Sequence, residues 1–161
     1  MSADPRVRRA RARSDFASAG ALLHEFNTAY GLPSPDASFL GHRIAALAGD
    51  DVTAMLARDR GTDVGLAIVR IRPNLYSDAN EAYLAELYVG EGHRRTGLGT
   101  ELLEASIAYA RERGCDRIEL ATDEGDHDAH RLYRRHGFSN LTDPAAAPDA
   151  RERMYFYERE L

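Results

Sequence analysis

A chain of 161 residues, 43% of them apolar, is long enough for one domain around one core. Its net charge of −5 speaks against a general nucleic-acid binder, which presents a basic face. All 21 basic residues are arginine and Cys115 is the only cysteine, so Walker-lysine, Schiff-base and pyridoxal-phosphate chemistry, intrachain disulfides and multi-cysteine metal sites are excluded.

Val7 to Ala12 reads as a short edge strand, its Arg8, Arg9, Arg11 and Arg13 forming a solvated basic run that discourages strand pairing. Ser14 or Asp15 is placed to cap a helix carrying Phe16, Ala19, Leu22, Leu23 and Phe26 at helical spacing. The breaker Gly31-Leu32-Pro33-Ser34-Pro35 ends it. A second helix from Asp36 to Ala48 is expected to bury Phe39, Leu40, Ile44 and Leu47. Val52 to Ala57 and Val64 to Ile71 form an antiparallel hairpin, and a loop at Pro73 to Asn80 leads to a third strand, Ala82 to Val89. Leu98, Leu102, Leu103, Ile107 and Ala110 then make one face of a helix from Gly97 to Arg113. A strand from Cys115 to Ala121, a short helix from Asp126 to His136 stopped by Gly137, and an aromatic strand Met154 to Tyr157 complete the chain. The sum is an α/β (α+β) fold in a single domain, 1–161, with a mixed, mostly antiparallel central sheet flanked by helices.

The chemical centre is the junction after Val89. A strand ends, a Gly- and Arg-rich stretch follows, and a helix begins near Gly97. Free N–H groups and the helix dipole make such a start an anion site, and Arg94 and Arg95 add forked positive charge. The Walker pattern fails for want of lysine. The dinucleotide pattern G-x-G-x-x-G fits Gly97 and Gly99, but Leu102 occupies its third glycine position and the preceding strands read as antiparallel.

Arg94-x-x-Gly97-x-Gly99, after Leu87-Tyr88-Val89, resembles the pyrophosphate motif of the Gcn5-related N-acetyltransferases (GNAT). Ala129, Leu132, Tyr133, Gly137 and Phe138 are similar to that family's second motif, with Asp126 where the family commonly has Asn. The order of elements follows the family over nearly the whole chain. The resemblance implies acetyl-CoA as co-substrate and a direct attack by an amine in a ternary complex. It implies that two neighbouring strands splay, that main-chain groups of Leu87 and Val89 (beside Tyr88) pair with the pantetheine arm, and that an N–H of this segment stabilises the oxyanion. The N–H groups of Arg95, Thr96, Gly97, Leu98, Gly99 and Thr100 are expected on the pyrophosphate, with Asp126 nearby, where a carboxylate accepts but cannot donate as Asn would. Tyr133 matches the general acid for the departing thiolate. Glu86 is the first candidate base, with Glu81 and water relays as alternatives.

Asp123 to His130 superficially resembles a metal cluster, but acidic residues at a helix start are capping chemistry, so no metal is expected. His93 and His136 read as surface residues. In the family the acceptor is held by variable parts, here His24 to Ser38, Leu75 to Glu81 and Asn140 to Arg153. Glu25, Asp36, Asp78 and Glu81 mixed with Phe26, Tyr30, Tyr76 and Tyr83 suit a small cationic amine, aminoglycoside- or polyamine-like. A peptide N-terminus, a protein lysine, or a non-catalytic acyl-CoA-binding regulatory role are the competing readings. No apolar run nears the ~20 residues of a membrane span and no secretory leader is evident, so no membrane partner and a cytoplasmic location are expected. The aromatic C-terminal strand is a candidate homodimer edge.

Overall fold

The computed structural model describes residues 6–138 and 154–161, the side chains of 154–156 excepted. The elements run β1 (Val7–Arg9), α1 (Arg13–Ala29), α2 (Ala37–Leu47), β2 (Val52–Asp59), β3 (Thr62–Pro73), β4 (Asn80–Val89), α3 (Leu98–Glu112), β5 (Cys115–Asp123), α4 (His127–Arg135) and β6 (Met154–Glu160). The six strands lie side by side in chain order, antiparallel throughout except for the parallel pair β4 and β5, which α3 connects.

Alternation along the strands divides the core in two. One face, with Ala67, Val69, Leu84, Ile118 and Leu120, packs on the apolar stripe of α3, where Leu98, Leu102, Leu103, Ile107 and Ala110 are all buried, and on Tyr133 of α4. The other, with Leu56, Leu66, Ile68 and Tyr88, packs on Leu22 and Leu23 of α1 and Ile44 of α2. A Cβ on Gly20 would stand 2.4 Å from the Gly41 nitrogen, so the two glycines let α1 and α2 cross in close contact.

Three details of the N-terminal region correct the expectations. The N-cap position of α1 is Ala12, and Asp15 caps from inside the first turn: its Oδ2 accepts the N–H groups of Arg11 and Ala12, both at 2.9 Å. Phe39 and Leu47 are 56% and 41% exposed, because α2 lies outside α1 and turns only Gly41 and Ile44 fully inward. Of the basic run, Arg11 and Arg13 are exposed, whereas Arg8 and Arg9 are paired. Arg8 bridges Asp15 and Asp63, holding the Asp63 carboxyl down at about 2, and Arg9 lies 4.6 Å over the Tyr109 ring.

The sheet opens in its middle. β4 and β5 pair from Asn80 with Cys115 only as far as Leu84 with Leu120. Ala85 is an extra residue opposite the Ile68–Val69 step of β3, a bulge that bends β4 away from β5. Beyond it β4 follows β3 and β5 follows β6, so the two strands diverge.

Candidate active site

The loop that the sequence reads as an anion site joins β4 to α3. After Val89, a single 3₁₀ turn at Glu91–His93 reverses the chain, and Arg94 anchors the exit by donating Nε–H to the Val89 carbonyl at 3.1 Å. Arg95 and Gly97 both take left-handed backbone, at φ of 61° and 86°. For Gly97, the N-cap of α3, that conformation favours glycine, whereas for Arg95 it is strain of roughly 1–2 kcal/mol. Left-handed residues alternating with ordinary ones curl main-chain N–H groups into a concave nest. The first N–H of α3 to bond backwards is that of Glu101, to the Gly97 carbonyl at 3.0 Å, so those of Leu98, Gly99 and Thr100 have no intrahelical acceptor. Leu98 contributes main chain alone, since its side chain is buried, and the Thr96 hydroxyl is tied to the His93 carbonyl at 2.6 Å.

The register of β3 with β4 fixes which way the open edge faces. Gly90 N–H bonds to the Val64 carbonyl, and Tyr88 and Glu86 lie opposite Leu66 and Ile68 in the same phase. The alternation then turns N–H and C=O of Leu87 and Val89 away from β3, into the gap that β5 has left. A strand edge free of any neighbouring strand thus runs straight into the anion loop, with the Val89 carbonyl at its end held by Arg94.

The far wall is α4. Asp126 caps it, Oδ1 accepting from Ala129 N–H at 3.0 Å, which accounts for a carboxylate at this position without any ligand. Tyr133 is buried, its ring 5.9 Å from Phe138 and 5.8 Å from Tyr157, and desolvation pushes its phenol well above the ordinary value. Beneath it His130 is held between the Tyr157 hydroxyl at Nδ1 and the Asp123 carbonyl, 2.9 Å from Nε2. Tyr157 is 1% exposed, so its ring belongs to this core.

Loop, edge and α4 enclose a cleft of about 300 Å³. Leu87, Tyr88, Val89, Arg94, Arg95, Gly97, Gly99, Thr100, Asp126 and Tyr133 are in its wall; the side chains of Thr96 and Leu98 are turned away. Arg131 and Arg135, also in the wall, were missed in the sequence. They stand one helical turn apart on α4, so projecting that helix would have found them. The Tyr88 side chain crosses to the α1 face, stacks on Phe26 at 5.0 Å and donates to Glu25 Oε1 at 2.8 Å. Burial and this carboxylate raise its phenol to about 12.

The two carboxylates considered as base differ sharply. Glu86 lies on the α1 face beside the bulge, outside the cleft wall itself, and burial raises its carboxyl against a smaller opposing pull from Arg70. Glu81 lies five residues earlier, roughly 16 Å back along an extended strand, where β4 and β5 are still paired. It is buried and gripped by Arg117 Nη2 at 2.8 Å and by Arg72 Nε, which hold its carboxyl below the usual range. At the closed end of the strand pair, its two ion pairs tie β3, β4 and β5 together.

The acceptor residues also separate. Leu75 and Tyr76 are almost fully exposed on a loop tied by Asn74 and Ser77 to Asp116, at the closed end of the β4–β5 pair. Together with Asp78 and Glu81 they lie away from the cleft. Tyr30 does reach it, and also lines an adjoining cavity of about 540 Å³ with Asp123, Glu124, Gly125 and Asp126. The Asp123–Glu124 pair was read in the sequence as capping chemistry. Asn140 to Arg153 lies outside the described residues. Among the described residues no group of three or more His, Cys, Asp or Glu is arranged to hold a metal, and no helix is long and apolar enough to cross a membrane.

Residues 20–138 match the Acetyltransferase (GNAT) family. The chain is 33% identical over 96 residues to the mycothiol acetyltransferase of Thermobispora bispora, a match covering 58% of this chain and 32% of that protein, so it spans about a third of that relative's length. To the aminoglycoside N(6')-acetyltransferase type 1 of Serratia marcescens it is 29% identical over 119 residues, 71% of this chain and 75% of the other. The crystal structure of a candidate acetyltransferase from Arthrobacter sp. FB24 superposes with a TM-score of 0.77 at 39% identity, covering 92% of this chain and 94% of that one.

Proposed function

Because the chain belongs to the Acetyltransferase (GNAT) family, we propose that it transfers the acetyl group of acetyl-CoA to the primary amine of a small cationic molecule, aminoglycoside- or polyamine-like, in the cytoplasm. The observation that carries this reading is the opened β4 edge leading directly into the anion loop. An edge of alternating N–H and C=O at Leu87 and Val89 suits an amide-bearing arm, and the nest at Arg95 to Thr100, with Arg94 beside it, suits a diphosphate.

The thioester carbonyl then sits in the gap between β4 and β5. The amine approaches from the α1 face, where Glu86, with its raised carboxyl, takes the proton directly or through water. The amine lone pair forms the new C–N bond while a main-chain N–H of the Leu87–Val89 segment stabilises the oxyanion. The C–S bond breaks, and the thiolate takes the Tyr133 proton. Position supports that role: Tyr133 stands in the cleft wall, with its phenol in the protonated form that a donor needs. The cationic acceptor is supported by Asp123, Glu124 and Tyr30 beside the cleft, and by a relative named for an aminoglycoside.

The test is thiol release from acetyl-CoA across a panel of polyamines, aminoglycosides and peptides. Release with cationic small amines is the expected result. Release with peptides only would move the acceptor to a polypeptide, and acetyl-CoA-dependent thermal stabilisation without turnover would make the chain a binding module.

A further inference from the structure

One contact to the anion loop comes from outside the cleft. Arg6 precedes β1 and is fixed by its own main chain, whose carbonyl accepts the Arg58 N–H at 2.7 Å. Its guanidinium reaches the back of the loop, where Nη1 and Nη2 both donate to the Thr96 carbonyl at 3.3 Å. Nε–H donates to Glu101 Oε2 at 3.2 Å, and Nη2 pairs with Oε1 of the same carboxylate. Arg6 is absent from the cleft wall, whereas Gly97 is part of it.

We propose that Arg6 is a positioning residue for diphosphate binding, acting from behind the loop through the Thr96 carbonyl and the Glu101 carboxylate. This rests on the acetyl-CoA reading above. A peptide unit is planar and trans, so its C=O and N–H point in opposite directions. By drawing the Thr96 carbonyl outward, Arg6 turns the N–H of Gly97 inward. That peptide lies between the two left-handed residues, Arg95 and Gly97, where the backbone most needs an external hold. Glu101 is in the first turn of α3, and its negative charge opposes a diphosphate at that helix start. The Arg6 fork neutralises it. One guanidinium thus sets an N–H direction and removes a repulsion, and lysine, with a single ammonium, cannot span both acceptors in the same way.

The experiment compares the KM for acetyl-CoA with that for S-acetylpantetheine, which lacks the diphosphate, at saturating amine. Arg6→Ala is expected to raise the acetyl-CoA KM about tenfold while leaving kcat, the amine KM and the acetylpantetheine KM unchanged. Arg6→Lys should recover part of the loss, and Glu101→Gln added to Arg6→Ala should recover part but not all. An equal rise for both donors would make Arg6 a general prop and overturn the proposal. So would full recovery by Glu101→Gln, which would leave nothing for the Thr96 carbonyl. Wild-type protein that uses acetyl-CoA alongside an Arg6→Ala variant of unchanged KM defeats the clamp alone. Wild-type protein that uses neither donor defeats the acetyl-CoA reading and the clamp with it.

Discussion

The two sides of the cleft are built on different principles. The donor side is mostly main chain: an open strand edge, a nest of N–H groups and a helix start, held by left-handed residues and by hydrogen bonds such as Arg94 to Val89. The acceptor side is mostly side chain: Tyr30 near the end of α1, the Phe26–Tyr88–Glu25 cluster behind it, and Asp123 and Glu124 at the end of β5. Main-chain geometry demands glycines and a fixed spacing, whereas a side-chain wall tolerates many sequences. On the proposed reading, recognition of the donor is therefore fixed by the fold, and recognition of the acceptor is free to vary upon it.

Substitutions on the two sides should separate donor, acceptor and chemical effects. Tyr133→Phe removes the proton donor while preserving the ring packing, so initial-rate kinetics should show kcat falling about 100-fold or more with the acetyl-CoA KM little changed. An unaltered kcat would return Tyr133 to the core. Glu86→Gln should lower kcat by about tenfold or more and abolish the acid limb of the pH–rate profile. Because burial raises the Glu86 carboxyl, the basic form appears only above the ordinary value of about 4.3, and the rate should climb as pH rises through that higher value. A limb that persists in Glu86→Gln would assign it to another group.

Two smaller effects sharpen the contrast. Gly97→Ala places a Cβ on backbone at φ of 86°, costing roughly 1–2 kcal/mol, and should raise the acetyl-CoA KM severalfold without moving the amine KM. Glu81→Gln should leave the pH–rate profile in place and lower stability by roughly 1–3 kcal/mol at neutral pH, measured by denaturant unfolding. Arg117 and Arg72 depress the folded-state carboxyl of Glu81, so its contribution is present above the unfolded value and is lost as pH falls through the folded one. The difference from wild type should therefore shrink in acid. A difference that instead grows there, or a lost acid limb, would make Glu81 more than an anchor.

The donor side was legible because its constraints are local. Gly97, Gly99, the arginines and the lead-in strand are neighbours in sequence, and Leu102 sufficed to argue against a dinucleotide loop. The α3 stripe was equally clear, since one uninterrupted helix period places Leu98, Leu102, Leu103, Ile107 and Ala110 in the core. What the sequence withheld was tertiary. The Ala85 bulge, which reverses the facing of β4, has no signature in Ala82 to Val89, and it alone decides that Glu86 and Tyr88 point to α1 while Leu84 points to α3. Glu81 and Glu86 look alike as strand glutamates. Only the cross-strand arginines, 9 and 36 residues away, tell them apart. The exposure of Phe39 follows similarly from α1 and α2 meeting through glycines, which leaves the outer face of α2 unclaimed.

We propose the loop from Arg94 to Gly99, with the open edge at Leu87 and Val89, as a coenzyme A site. Calorimetric titration of the intact chain tests it most directly. Saturable one-to-one binding of acetyl-CoA, weaker binding of S-acetylpantetheine and no binding of NAD are expected. Tight binding of NAD with indifference to acetyl-CoA would contradict it.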